Sequence, residues 1–501
     1  MNSEPFIRIE MRDQCPIVRG IHMCELGHKL PGCKPSIADG VYAGWSWDGQ
    51  RLSAYTDRYG LFPLFYYVDS HQITLSPSLI TLVLELKLGD LDAEALAVFF
   101  HLGFFVDEDT PFLGVKVLPA SGRLSWAGTL LLEGGQTVGG RLQCSRDDAI
   151  DEFNRLFAKA IERRLGFGEF VVPISGGQDS RQILLELDRQ GMHPHHCVTA
   201  SAIPPKLTDV APAQELCRAV GVSHLVTPRA APFDAEQQKN LLTHFCTDEH
   251  AWFMGVANHL AETPHPIFDG IGGGIAKLQK PKTLQLYREG RWQELAQYLA
   301  PRSTDLLAPV LPEGYLSPHA QELAHQRIIR TLRRYENATN PMTMFFFWNR
   351  TRREIALQSF GILRGVTQCL CPYLDHEVFD FAISLPPDIQ NNFHHDAIQR
   401  AYPKYADIPY SGVLKRDKRL FGFSGFGFAM QVMRYAVRNN VQWVSRILPI
   451  CSSSLKCTMS RRYRSAHFWL SPPRWLYVAQ LEKLRARQEV DPIRLRRHCI
   501  P

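Results

Sequence analysis

The segment Phe170-Val171-Val172-Pro173-Ile174-Ser175-Gly176-Gly177-Gln178-Asp179-Ser180-Arg181 constrains the chain more than any other. A short apolar strand runs straight into a hydroxyl-Gly-Gly loop. The residues behind it read as a helix, with Ile183, Leu184 and Leu187 on one side and Gly191 as the stop. Such a strand–loop–helix points unpaired backbone N–H groups at the loop, where the helix dipole adds partial positive charge. Gly176 and Gly177 put no Cβ between the main chain and an anion. Ser175 and Ser180 can donate to phosphate oxygens, whereas Asp179 is an acceptor and makes sense as a holder of Mg²⁺. The plain alternative is a Gly-rich turn opening an ordinary helix.

Strands and helices alternate after this unit. Residues 197–200 form a second buried strand, and Thr208-Asp209 opens a helix carrying Ala213, Leu216 and Val220, closed by Gly221. A third strand follows at 224–226, and Phe268-Asp269-Gly270-Ile271-Gly272-Gly273-Gly274 is another strand entering a Gly-rich turn. This order predicts an α/β fold with a doubly wound parallel sheet, whose ligands sit at the carboxyl ends of the strands.

Residues 1–140 read as β-rich, with strands at 40–47, 51–56, 64–68, 73–75, 115–117 and 122–126 and a helix near 93–100. Asp48-Gly49 is a hairpin signal of the type I′ sort. A linker lies near 135–145. Ser145-Arg146-Asp147-Asp148 then starts an amphipathic helix bearing Ile150, Phe153, Phe157, Ile161 and Leu165. From about 315 the chain turns helical, and Arg350, Arg352 and Arg353 are placed on the outer face of a helix lined by Phe345, Phe347 and Ile355. Beyond 440, Arg461, Arg462, Arg464, Arg494, Arg496 and Arg497 among aromatics predict a solvated, partly helical tail. The expected units are 1–140, 145–430 and a basic extension over 431–501.

At 501 residues and 45% hydrophobic content the chain can hold two or three domains with substantial cores. A net charge of +6 suits an anionic ligand and does not argue for nucleic acid. The twelve cysteines contain no CxxC pair, and Cys369 and Cys371 form a CxC with no histidine at finger-like spacing beside it. They read as reduced thiols, with zinc a second choice. Acidic residues stand where a signal peptide needs an apolar core, and no run approaches a membrane span, so a cytoplasmic location is expected.

SGGQDS lacks the Lys of a Walker A loop and resembles the pyrophosphate loop of the N-type ATP pyrophosphatases. Tyr55-Thr56-Asp57-Arg58-Tyr59-Gly60-Leu61-Phe62-Pro63-Leu64-Phe65-Tyr66-Tyr67 looks like the RDxxGxxPLYY hairpin of the asparagine synthetase N-terminal domain, and the segment Thr110 to Pro119 resembles its TxFxGIxxLPPG stretch. Pro372-Tyr373-Leu374-Asp375-His376 resembles that family's PFLDxxLVEFALxLP. Arg416-Asp417-Lys418-Arg419-Leu420-Phe421-Gly422-Phe423 looks like its RxKxGF. The resemblance to the asparagine synthetase family covers most of residues 38–425. It implies a degenerate Ntn-type, class II amidotransferase-like first domain followed by an ATP-pyrophosphatase domain with a helical C-terminal part.

That resemblance also implies a reaction. ATP activates a carboxylate as an acyl-adenylate with release of pyrophosphate, and a nitrogen nucleophile displaces AMP to give an amide. The loop residues Ser175, Gly176, Gly177, Asp179 and Ser180 would bind ATP and Mg²⁺, with Thr199 and Gly272 alongside and Asp269 as the second metal carboxylate. Gly274 stands where the family carries its metal aspartate. Lys418, or its neighbour Lys415, would stabilise charge, with Arg181 assisting. The family's glutaminase nucleophile is a cysteine directly after the initiator Met; here that place holds Asn2, so the amine is expected as ammonia, a small amine or a peptide amine, as in macrolactam formation on a precursor peptide. Ile271 and Gln368 stand where β-lactam synthetases carry Tyr and Glu, which argues against β-lactam closure. A homodimer is an allowed assembly. The competing readings are a non-catalytic nucleotide-binding protein and a pyrophosphatase that modifies RNA.

Overall fold

The computed structural model describes residues 4–13, 15–34, 37–201, 207–228, 230–277, 280–300, 318–411, 423–439 and 471–486. Asn2, Lys415, Lys418 and the arginines at 461–464 and 494–497 lie outside the described residues.

The N-terminal part of the chain, expected to be β-rich, forms two antiparallel sheets. The strands are β1 (Ile7–Arg12), β2 (Cys15–Gly20), β3 (Met23–Lys34), β4 (Ile37–Trp47), β5 (Leu52–Thr56), β6 (Phe65–Val68), β7 (Gln72–Ser76), β8 (Val115–Val117), β9 (Arg123–Trp126) and β10 (Leu130–Glu133). One sheet runs β2-β1-β7-β6-β8 and the other β10-β9-β5-β4-β3. Ile7, Ile9, Ile73 and Leu75 from the first share a buried core with Val41, Ala43, Trp45, Leu52 and Ala54 from the second. Strands β1 to β3 add to the pattern read from sequence. Their signal is faint because β2 is almost wholly exposed and both β2 and β3 carry prolines and glycines. Helices α1 (Leu79–Leu86) and α2 (Ala93–Leu102) lie between β7 and β8.

The β4–β5 turn departs from type I′, which needs positive φ at both central residues. Gly49 alone has it, at 100°. Asp48 instead closes the turn with its side chain, its Oδ1 accepting the N–H groups of Gln50 at 2.8 Å and Arg51 at 2.7 Å.

Helix α3 (Arg146–Glu162) starts as expected, with Ser145 Oγ accepting the Asp148 N–H at 3.1 Å. Its apolar face, Ile150, Phe153, Phe157 and Ile161, is fully packed. Ser145→Ala should cost about 1 kcal/mol, read as a shift in urea midpoint without a change in slope.

The parallel sheet consists of β11 (Val171–Pro173), β12 (His196–Ala200), β13 (His224–Thr227), β14 (Ile267–Phe268) and β15 (Cys369–Leu370). Helices α4 (Asp179–Arg189), α5 (Leu207–Val220), α6 (Pro232–Leu242) and α7 (Met254–Glu262) lie between its strands. Strand order is β13-β12-β11-β14-β15, all parallel, so the order of addition reverses between β11 and β14. A crevice opens outside the carboxyl ends at such a reversal. The chain is therefore mixed α/β, with two antiparallel sheets and one parallel sheet.

Two expectations are corrected, one about arginines and one about the C-terminal extension. Arg352 and Arg353 are buried, not on an outer face. The backbone there is a π-helix, Phe346–Ile355, so spacing by 3.6 residues misplaces them. Arg352 donates to Gly60 O at 3.3 Å and Leu118 O at 2.9 Å and pairs with Glu108; Arg353 donates to Asp109 O at 2.7 Å and to Asp107 O. The C-terminal extension is also not wholly solvated: on the helix Ser471–Arg485, Trp475, Leu476, Tyr477, Ala479 and Leu484 are buried, and Arg474 pairs with Asp248 at 2.8 Å. None of the described cysteines is in a disulfide. Among the described residues no helix is long and apolar enough to cross a membrane.

Candidate functional site

The loop between β11 and α4 leaves the sheet at the reversal point, and its shape is fixed from within. Ser180 Oγ accepts the Ser175 N–H at 3.1 Å, Ser175 Oγ accepts the Gly177 N–H at 3.2 Å, and the two hydroxyl oxygens stand 3.2 Å apart. One hydroxyl hydrogen serves that contact and the other is left for a ligand. Helix α4 has no side-chain N-cap, and its first main-chain bond runs from Gln182 N–H to Gln178 O. Among the described residues, the amides of Gly176, Gln178, Asp179 and Ser180 have no acceptor. Four donors thus converge on the end of a helix dipole.

The Gly-rich turn after β14 lies on top of Asp179. A Cβ at Gly273 would stand 2.5 Å from Asp179 Cγ, so only glycine allows this approach. Gly272 has φ of 94° and serves the same turn, with Leu374 packed behind it. Lys277, three residues past Gly274, turns back onto the loop, and its Nζ donates to Asp179 Oδ1 at 2.7 Å. Both side chains remain about one-third exposed, at 37% and 32%.

Beneath the loop a buried set holds it in place. Tyr373 Oη donates toward Asp179 O at 3.0 Å and Gln182 Oε1 at 2.9 Å. His394, on the helix Phe393–Ala401, places Nε2 2.7 Å from Gln182 Oε1. Its Nδ1 stands 3.4 Å from Asp179 Oδ1 and makes no hydrogen bond. Burial lowers the His394 pKa to about 4, against the pull of the Asp179 carboxylate, so the ring is neutral at pH 7.

The remaining expected residues have other duties. Thr199 sits at the end of β12, where its hydroxyl donates to Ile174 O at 2.8 Å and lies 2.8 Å from His224 Nε2. Arg181 is buried and grips the segment 408–411: it donates to Ile408 O at 2.7 Å and Pro409 O at 2.5 Å, and its guanidinium lies 3.8 Å from the centre of the Tyr410 ring. Ser411 N–H then bonds Gly176 O at 2.7 Å, which ties this segment to the loop. Arg181 is thus a positioning residue. Asp375 of the PYLDH motif caps the helix His376–Ser384 and is held by Arg163 and Arg164.

A magnesium site built on Asp179 and Asp269 does not fit these side chains. Asp269 is buried, its Oδ1 accepting the Ile271 N–H at 3.0 Å and its Oδ2 the Ser359 hydroxyl at 2.6 Å. Burial pushes its pKa up, which these two bonds only partly offset. Gly274 supplies no ligand atom, and Asp179 already faces an ammonium. Among the described residues, Lys277 brings a positive charge to this loop.

Lys277, Gln182 and His394 were not singled out by sequence, and Tyr373 was read only as part of the PYLDH motif. Lys277 is the first cation after the Gly-rich turn, a legible signal; His394 and Gln182 join the site through tertiary packing alone. No protein-family model matches the chain, and no curated protein sequence matches it.

Proposed function

We propose that the chain binds ATP at the 175–180 loop and forms an amide from a carboxylate and an amine or ammonia, with an amidotransferase-like but glutaminase-inactive first domain and an ATP-pyrophosphatase-like second one. The observation that carries this reading is the cluster of four amides without an acceptor among the described residues, at the carboxyl edge of β11 where the sheet order reverses. The amides take the phosphate oxygens. Lys277, steered by Asp179, faces the charge that grows on pyrophosphate as the substrate carboxylate attacks the α-phosphorus and the bridging P–O bond breaks. The amine nitrogen then attacks the acyl carbon and gives up a proton to solvent, and AMP leaves with the C–O electron pair. Tyr373 and Gln182 hold the loop through both steps, and neutral His394 keeps a second cation away from Lys277.

A second reading, nucleotide binding without catalysis, is favoured by the inward turn of Asp269 and the ion pair on Asp179. Two measurements separate them. MgATP binding by calorimetry, at micromolar to millimolar concentration, is expected under both. Exchange of labelled pyrophosphate into ATP, dependent on an added acid from a panel that includes aspartate, belongs to the ligase alone. Binding without exchange for any acid selects the second reading, and absence of binding defeats both.

A further inference from the structure

At the opposite end of the parallel sheet, Glu169, His195 and His265 bring one ligand atom each within 4.8 Å of one another, and we propose that they form a site for a divalent transition metal of the zinc class. The site lies about 20 Å of extended chain from Ser175, counting six residues through β11, and is independent of the nucleotide reading.

Sheet register makes the cluster. β11, β12 and β14 are neighbours, with Val171 opposite both His196 and Ile267. Glu169 and His265 each come two residues before those paired positions and His195 one before, so all three emerge at one edge. Their backbones are pinned. His195 N–H bonds Phe170 O at 2.9 Å, Ser223 Oγ bonds His195 O at 3.1 Å, and Val171 N–H bonds Pro266 O at 2.9 Å. The His265 N–H bonds Thr263 O at 2.8 Å and its carbonyl takes the Thr367 hydroxyl.

The side chains carry free donor capacity. The Glu169 carboxylate has no hydrogen bond or ion pair among the described residues. The His195 and His265 rings stack at 4.9 Å between centroids, a poor arrangement for two imidazolium ions but compatible with two neutral ligands. Two imidazoles and one carboxylate suit zinc, and the exposure of Glu169 and His195 leaves the remaining coordination to water.

A second tier of histidines orients the first. His195 Nδ1 is 2.9 Å from His196 Nδ1, and His196 Nε2 is 2.9 Å from His259 Nε2 on α7. Each neutral ring carries one N–H. If His195 donates to His196 and His196 donates to His259, the Nε2 lone pair of His195 is left for the metal. The reverse direction would protonate that nitrogen. A bound metal therefore fixes the direction of the chain, as hydrogen bonds behind a ligating histidine commonly do.

The test uses tag-free, metal-stripped full-length protein titrated with Co²⁺ and read by its visible bands, then displaced with Zn²⁺. One equivalent is expected to bind and to be displaced. His195→Ala and His265→Ala should each abolish the bands, and His196→Ala should weaken binding by about tenfold. Zn²⁺ should raise the Tm of the unmodified protein and not of His265→Gln, which keeps a polar side chain should the alanine variant misfold. Absence of stoichiometric binding, or binding retained in the His195→Ala, His265→Ala double variant, overturns the proposal. Bands lost instead in Asp179→Ala would move the metal to the loop and overturn it equally.

Discussion

Replacing Lys277 by Met is expected to cut acid-dependent ATP–pyrophosphate exchange about 10²–10³-fold while the protein stays folded. Two magnitudes separate these effects. As an ion pair, Lys277 and Asp179 are each about one-third exposed, at 37% and 32%, so their attraction is screened and contributes ~0–1 kcal/mol to stability. Under the proposed ligase function, the same ammonium would act on charge that exists only during the reaction, where one donor is worth several kcal/mol. Methionine keeps most of the aliphatic stem and removes the charge. Lys277→Arg should recover part of the rate, since the charge persists with a different reach. An unchanged exchange rate in Lys277→Met would remove this residue from the chemistry and leave it a surface partner of Asp179.

Arg164→Met should have the largest effect on stability, a loss of about 3–5 kcal/mol. Arg164 is 2% exposed and joins three distant parts of the chain. Its Nη2 is 2.7 Å from Asp39 Oδ2 on β4, and its Nη1 is 3.1 Å from Asp375 Oδ2 and donates to Ala160 O at 3.0 Å. Met fills similar volume but leaves two buried carboxylates short of a cation, with Arg163 still on one of them. Burial alone would raise the Asp375 pKa; Arg164 and Arg163 outweigh it and hold the folded value below the ordinary one. Its contribution is therefore complete above the unfolded carboxylate pKa of about 3.9 and is lost as pH falls through the folded value. In Arg164→Met burial gains on the remaining Arg163 pair and moves the folded pKa up, so protonating the carboxyl relieves part of the penalty and the deficit should shrink as pH falls. Urea titrations at pH 7 and pH 5 check both points: the deficit should be larger at pH 7 than at pH 5, and a deficit under 1 kcal/mol at both would contradict this account.

The local features of the fold were legible because they rest on short-range rules. Ser145 is followed by two carboxylates and an apolar helical stripe, and the strand–SGGQDS–helix unit carries its own start and stop. That these strands form a parallel sheet followed from alternation; their order in it did not. What escaped the sequence depends on partners far along the chain. Arg352 and Arg353 look like a solvated face until backbone carbonyls from residues 60 to 118 surround them. Asp269 sits in the expected turn, yet Ser359, 90 residues later, decides where its carboxylate points. Arg181 follows the loop directly, but Ile408, Pro409 and Tyr410 claim its guanidinium. A histidine cluster assembled by register leaves no local spacing to read.

Trp45, Tyr59, Phe157, Trp348 and Phe379 belong to a single packed interior, with the Tyr59 ring 4.9 Å from that of Phe379. The antiparallel part is therefore not a detachable module. Cutting it away would bare aromatic faces of the remainder and strip Arg352 and Arg353 of the carbonyls that neutralise their burial. A region wired in this way supports the rest of the fold mechanically, whether or not it carries chemistry of its own.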